Sequence, residues 1–188
     1  MDVDIGDLPL PPKMKRDALF ECRSPRVQVE FVVDNSALEG LANGNLAITN
    51  TTYAQPLHRI RERIAAIFRT CDYKARFLEP VDWRAREWNC TADSLASLAI
   101  ATKTDGGTLT AELLRETLQQ YSAIQCFSDG GFVEGIGGAT GVHVVAWNGA
   151  NRCSVGHAYS FHPEASSAFH MEVSALLAAV TLVHRAAT

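Results

Sequence analysis

Residues 127–149 read FSDGGFVEGIGGATGVHVVAWNG. An apolar approach ends on Asp129, paired glycines follow, and the stretch closes on Asn148-Gly149, a dipeptide suited to a tight hairpin because both residues tolerate positive φ. The flanking patterns predict three strands, Ile124 to Asp129, Gly141 to Trp147 and Cys153 to Phe161. With the last two joined at Asn148-Gly149, the expectation is an antiparallel meander that presents Asp129 at the end of its first strand.

Downstream, Ser166 or Ser167 can cap a helix whose core face carries Val173, Leu176, Leu177, Val180 and Val183. Glu172 falls beside Ala168, Ala175 and Ala179, a face small enough to approach a sheet closely. Upstream, residues 101–109 (ATKTDGGTL) combine glycines with small polar residues and predict a flexible connection, followed by a helix from Thr110 to Gln120.

The first half has the same grammar. Val27 to Asp34 (VQVEFVVD) is rich in β-branched residues and predicts a buried strand that delivers Asp34 at its C-terminal edge. From Gln55 to Thr70, Leu57, Ile60, Ile64, Ile67 and Phe68 recur at helical spacing. A short strand is expected around Ala75 to Val81. Thr91 can then cap a helix beginning near Ala92, with Asp93 in its first turn, where the helix dipole favours a negative charge. Residues 1–26, with Pro9, Pro11, Pro12 and Pro25 among mixed charges, read as a flexible tail.

The 188 residues, 47% hydrophobic, suit one domain, expected over residues 27–188. A formal charge of -4 gives no global reason to expect a polyanionic partner, so any nucleic-acid contact must be local. A surplus of Lys and Arg between Arg59 and Arg86 is one such locality, and a solvated amphipathic helix explains it equally well. The five cysteines are scattered without a CxxC pair, which argues against a disulfide framework or structural zinc and fits an intracellular setting, nucleus or cytoplasm. No apolar run is long enough to span a bilayer, so no membrane partner is expected. Without a GxSxG elbow, nucleophilic serine chemistry has no support. His157, His162 and His170 lack partnered cysteines or a regular helical spacing and read as surface or core residues, while Trp83, Trp88 and Trp147 read as core or rim packing.

Singly, each acid has an ordinary explanation: a turn at Asp129, a strand end at Asp34, a helix start at Asp93, a solvated helix face at Glu172. Jointly, two strand-end aspartates and two helix acids are what a hard cation requires, because magnesium prefers carboxylate oxygens and water.

Four segments carry a resemblance to the ribonuclease H family. FSDGGFVEGIGGATGVHVVAWNG resembles its first strands, HMEVSALLAAVTLV its first helix with a Glu, VVDNSALEGLANG its fourth strand with Asp and a following polar residue, and REWNCTADSLASLA its final helix with an Asp. The second pair precedes the first here, so the resemblance implies a circularly permuted α/β fold. Its expected order is strand 4, helix, strand 5, helix, linker, strands 1-2-3, helix, giving a mixed five-stranded sheet flanked by helices. Residues 27–100 would form the usual C-terminal half, 101–122 a linker with a helix, and 123–188 the usual N-terminal half. The cut falls in a surface loop, where new termini disturb little buried backbone. The halves could close within one monomer or exchange in a half-swapped dimer.

The resemblance implies an endonuclease that hydrolyses the RNA strand of RNA/DNA hybrids. Two Mg²⁺ ions, with Mn²⁺ as a substitute, would be held by Asp129, Glu172, Asp34 and Asp93, which are then both catalytic and metal-binding residues. Gly130, Gly131, Asn35, Ser36, Arg86 and Asn89 are the implied nucleic-acid contacts. The motif around Asp34 is similar to ribonuclease H domains of retroelement reverse transcriptases, which implies a polymerase domain as a further partner. One departure stands out: where many members have Asn ahead of the helix Glu, this chain has Ala168, Phe169 and His170. The alternatives are therefore a nuclease of the same fold with another nucleic-acid substrate, or a weak or inactive module that binds nucleic acid or a protein partner.

Overall fold

A computed structural model describes residues 26–73 and 79–188. Strand β1 (Gln28–Val33) is buried from Val29 onward. Helix α1 (Ser36–Asn43) follows at once, started by Asn35, whose side chain accepts from Leu38 N at 3.1 Å, and stopped by Gly44 in the left-handed region at φ 87°. Helix α2 (Thr51–Ile67) begins four residues earlier than its apolar period suggests, because Asn50 supplies the cap by accepting from Thr52 N at 2.9 Å. Its buried face, Leu57, Ile60, Ile64 and Ile67, is the one the spacing predicts.

Strands β2 (Asp72–Tyr73) and β3 (Val81–Trp83) both lie parallel to β1. The strand expected around Ala75 to Val81 falls largely outside the described residues, and only its last residue opens β3. A single 3-10 turn (Arg86–Trp88) leads into α3 (Cys90–Thr102). Thr91 is not the cap: the helix already starts at Cys90, and Asn89 stands at the cap position without a side-chain bond to the helix.

The connection over residues 101–109 is built rather than loose, which corrects the expectation of a flexible linker. Lys103 ends α3 in the left-handed region, and β4 (Gly106–Gly107) pairs antiparallel with the third hairpin strand. Asp105 accepts from Ser160 Oγ at 2.9 Å and Phe161 N at 2.8 Å. A Cβ at Gly107 would overlap the backbone of His157 and Ala158, and one at Gly106 would meet the end of the Tyr159 side chain, so a glycine pair that reads as flexibility here admits the neighbouring strand. Thr110 caps α4 (Ala111–Gln120), accepting from Leu113 N at 3.1 Å.

Strands β5 (Ala123–Val133), β6 (Gly137–Asn148) and β7 (Asn151–His162) form the meander. Gly149, at φ 57°, and Ala150 turn the β6–β7 hairpin, one residue beyond the predicted Asn-Gly pair. Ser167 caps α5 (Ala168–Ala187), accepting from His170 N at 3.1 Å.

The result is a mixed α/β fold with one sheet in the order β2-β1-β5-β6-β7-β4, β3 pairing with β1 beyond β2. β1 and β5 are parallel, and β5 to β7 are antiparallel. Among the described residues seven strands stand where five were expected: the edge beside β1 carries two short pieces, and the linker adds β4. The two sequence halves meet within a single chain through the β1–β5 ladder.

Helix α5 covers one face of the sheet, with α2 and α4 against its flanks, and α3 covers the other. The main core lies on the α5 side, where Val29, Phe31, Ile124 and Val144 meet Leu57, Ile60, Leu176 and Val180. Each such side chain contributes about 1.5–3 kcal/mol by leaving water. The opposite face holds a buried ionic cluster. Arg84 bonds Glu30 at 3.1 Å and Asp82 at 3.0 Å, and Gln125 also donates to Glu30. Partnering of this kind is what lets carboxylates at 2% and 4% exposure remain inside. Among the described residues no helix is long and apolar enough to cross a membrane, and Cys71, Cys90, Cys126 and Cys153 are free thiols.

Candidate metal centre

Two glycines decide how closely the helices approach the sheet, and therefore where the acids lie. Gly130 points at α5: a Cβ there would overlap the backbone of Met171 and Glu172. Gly141, cross-strand from Asp129, points the other way, and a Cβ would overlap the carbonyl oxygen of Ala92 in α3. With no side chain at either point, α5 brings Glu172 down beside β5, and the first turn of α3 brings Asp93 toward the same strand. The small face of α5 read from the sequence is borne out on this side, with Ala175 and Ala179 buried.

Asp129 does not end its strand, as the paired glycines suggested. Strand β5 runs on through Val133, and Asp129 sits within it at 3% exposure. Asp34 lies just past the end of the parallel neighbour β1, and Trp83 Nε1 donates to its carbonyl at 3.1 Å. One carboxylate oxygen each from Asp34, Asp129 and Glu172 lies within 4.8 Å of the others. These three acids come from β1, β5 and α5, and so from both halves of the sequence.

The fourth acid, Asp93, lines the same cleft of about 340 Å³ but stands outside that group. Its carboxylate is ion-paired with Arg86, and its side chain is about one third exposed. Arg86 was expected among nucleic-acid contacts; in this structure its guanidinium faces Asp93 and the field of Asp129 and Asp34.

The electrostatics follow from the packing. Burial, together with the charges of Asp34 and Asp93, pushes the Asp129 carboxyl up to about 7, against an opposing effect of Arg86. Glu172 is pushed up to about 8, first by burial and then by Asp129 and Asp34, although the Gly130 N–H donates to it. Among the described residues, Glu172 Oε2 is buried without a hydrogen-bond partner. An unsatisfied carboxylate oxygen beside two further carboxylates has the donor set and the negative field that a hard divalent cation requires. The residues present therefore fit such an ion.

The remaining expected contacts divide by burial. Asn89 is 1% exposed, and its Nδ2 donates to the Ser128 carbonyl at 2.9 Å and toward Asp129 at 3.4 Å, so it braces β5 against α3 and offers nothing outward. Gly130 and Gly131 both border the cleft, Gly130 packed under α5 with its N–H committed to Glu172. Asn35 caps α1, and Ser36 is exposed at its start. Trp83 and Trp88, at 47% and 68% exposure, are rim residues rather than core. Trp147 is half-buried with Arg152 over its ring at 5.6 Å.

Sequence reasoning missed the Arg86–Asp93 pair, which a separation of seven residues across a turn does not announce, and the Ser97 and Ile100 wall of the cleft. It also missed α1, although Asn35 before and Gly44 after are a legible cap and stop. Compared with known proteins, the chain matches no family model, no curated protein and no solved structure. Fold and site by themselves define an α/β protein with an acidic cluster assembled from distant parts of its sequence.

Proposed function

We propose that this chain is a circularly permuted ribonuclease H-type endonuclease that hydrolyses the RNA strand of RNA/DNA hybrids. The observation that carries the reading is the convergence of Asp34, Asp129 and Glu172 within 4.8 Å from both sequence halves. A mixed sheet flanked by helices, in which β1 of the first sequence half lies parallel to β5 of the second, supports it as well. A retroelement origin and a polymerase partner belong to the same proposal and rest on the motif around Asp34 alone.

Asp34, Asp129 and Glu172 would hold the divalent ions, which when bound would supply a water of lowered pKa and positive charge opposite the leaving 3′ oxygen. The chain's own residues provide the frame. Asp129 is fixed by the β5–β6 ladder and the Asn89 brace, and Glu172 by α5 and the Gly130 N–H. Asp34 is held by the Trp83 indole at its carbonyl. Arg86 is the cationic side chain at the mouth of the cleft, where a phosphodiester would enter.

The test is incubation of an end-labelled hybrid with and without Mg²⁺. Cleavage that needs the ion and disappears in Asp129→Asn supports the reading, and cleavage that survives that substitution overturns it. A second reading, the same chemistry on another nucleic acid, is favoured by one observation. The turn before Glu172 holds an exposed Ala168 and Phe169, whose ring lies edge-on to Tyr53 with centroids 5.0 Å apart, where amide side chains would otherwise read a hybrid. Hybrid, duplex DNA and single strands compared side by side distinguish the two.

A further inference from the structure

Arg86 stands where a cation would compete with it. Its backbone is anchored, because the 3-10 turn that carries it ends at Asn89, which is pinned into the sheet through the Ser128 carbonyl. Its side chain is free to move: it is 71% exposed, and Asp93 is its one hydrogen-bond partner among the described residues. An exposed pair of this kind is weak enough to open when a better partner arrives.

Asp93 is equally poised. It lies near enough to add to the charge felt by Asp129, and it borders the same cleft, yet it contributes no oxygen to the compact group of three. Of the four acids in the cleft, it is the one with a guanidinium for a partner. A dication placed beside Asp93 would meet that guanidinium as a like charge.

We propose that Arg86 is a resident counter-cation that withholds Asp93 from the cluster, so that a second divalent ion is captured only when the Arg86–Asp93 pair opens. This rests on the metal-site reading above and adds a positioning role for Arg86 that the reading does not require. Removing the guanidinium should release Asp93 to ion binding, and keeping a positive charge there should not.

The experiment is calorimetric titration of the full chain with MgCl₂ and, separately, MnCl₂, with no nucleic acid present. The proteins are wild type, Arg86→Gln, Arg86→Lys, Asp93→Asn and the Arg86→Gln/Asp93→Asn double variant, each checked for an unaltered melting curve. Wild type should take up one ion per chain. Arg86→Gln should show a second ion, tightened by on the order of tenfold. Arg86→Lys should behave as wild type, and the double variant should lose the gain. Arg86→Gln that titrates like wild type overturns the proposal. So does a gain that persists without Asp93, because it would be a general charge effect. If wild type takes up no ion at all, the metal-site reading falls with it, whereas one ion that is indifferent to Arg86 overturns the counter-cation role alone.

Discussion

Asp129 and Glu172 lie at the floor of the cleft, pressed between a sheet and a helix, whereas Asp93 stands at its rim paired with Arg86. Burial and the charges of Asp34 and Asp93 hold Asp129 up to about 7, and burial and the charges of Asp129 and Asp34 hold Glu172 up to about 8. At the rim, an exposed guanidinium meets the charge directly. Carboxylates lining one cleft are thus treated in opposite ways: the fold leaves the floor acids with their repulsion largely unrelieved and gives the rim acid a partner. Such a floor stores affinity for a cation at the expense of metal-free stability, and the rim does not.

The sharpest way to break the contrast is to neutralise the floor. Asp129→Asn or Glu172→Gln should abolish Mg²⁺-dependent cleavage and cation uptake, while melting curves show a metal-free protein at least as stable as wild type at pH 8. Loss of stability in both variants would contradict the stored-repulsion account.

Next in size is the close approach that builds the floor. Gly130→Val pushes against the backbone of α5, and Gly141→Val against that of α3, where neither neighbour is a flexible side-chain tip. Overpacking typically costs about 1–3 kcal/mol, and backbone contacts place these substitutions at or above the upper end. Denaturant melts should show both destabilised. Gly130→Val should also lose cation uptake wherever it still folds, because it displaces Glu172.

A third effect is pH dependence. A carboxyl has an unfolded-state pKa of about 4, and both floor acids are raised far above it in the folded state. Their contribution to stability is fully present below pH ~4 and is lost as pH rises through about 7 and about 8. Thermal melts of metal-free protein should therefore fall relative to Glu172→Gln between pH 5 and 8. Added Mg²⁺ should raise the wild-type midpoint more at pH 8 than at pH 5, and a wild-type midpoint that tracks the variant across this range would contradict the shifts.

The smallest effect concerns Asp34. Trp83→Phe removes the indole hydrogen bond to its carbonyl at an exposed position and should cost about 0.5–1.5 kcal/mol in denaturant melts, with cleavage reduced rather than abolished.

Much of this was legible before any coordinates. The period from Leu57 to Ile67 marks α2, the β-branched run marks β1, a serine at 166 or 167 announces α5, and the helix read from Thr110 to Gln120 is α4. The acids could be nominated because strand ends and helix starts are visible in patterns of residue type. Glycine was the ambiguous letter. Asp129-Gly130-Gly131 and Gly106-Gly107 read as turn or flexibility, yet both places are strands, and one glycine of each, Gly130 and Gly107, admits another backbone. Nothing local distinguishes these uses, because the clash that demands glycine comes from a helix or strand far along the chain. The Glu30–Arg84–Asp82 cluster was missed for a related reason: Asp82 and Arg84 stand more than fifty residues along the chain from Glu30, and only the pairing of β3 with β1 brings them beside it. Asn89 looked available because its burial is a tertiary fact.

The most direct test of the central claim is a crystal structure of the full chain soaked in Mn²⁺, with anomalous maps. A strong peak bounded by carboxylate oxygens of Asp34, Asp129 and Glu172 is the predicted result. Ordered carboxylates with no peak between them, or Asp34 standing apart from the other two, would contradict the account.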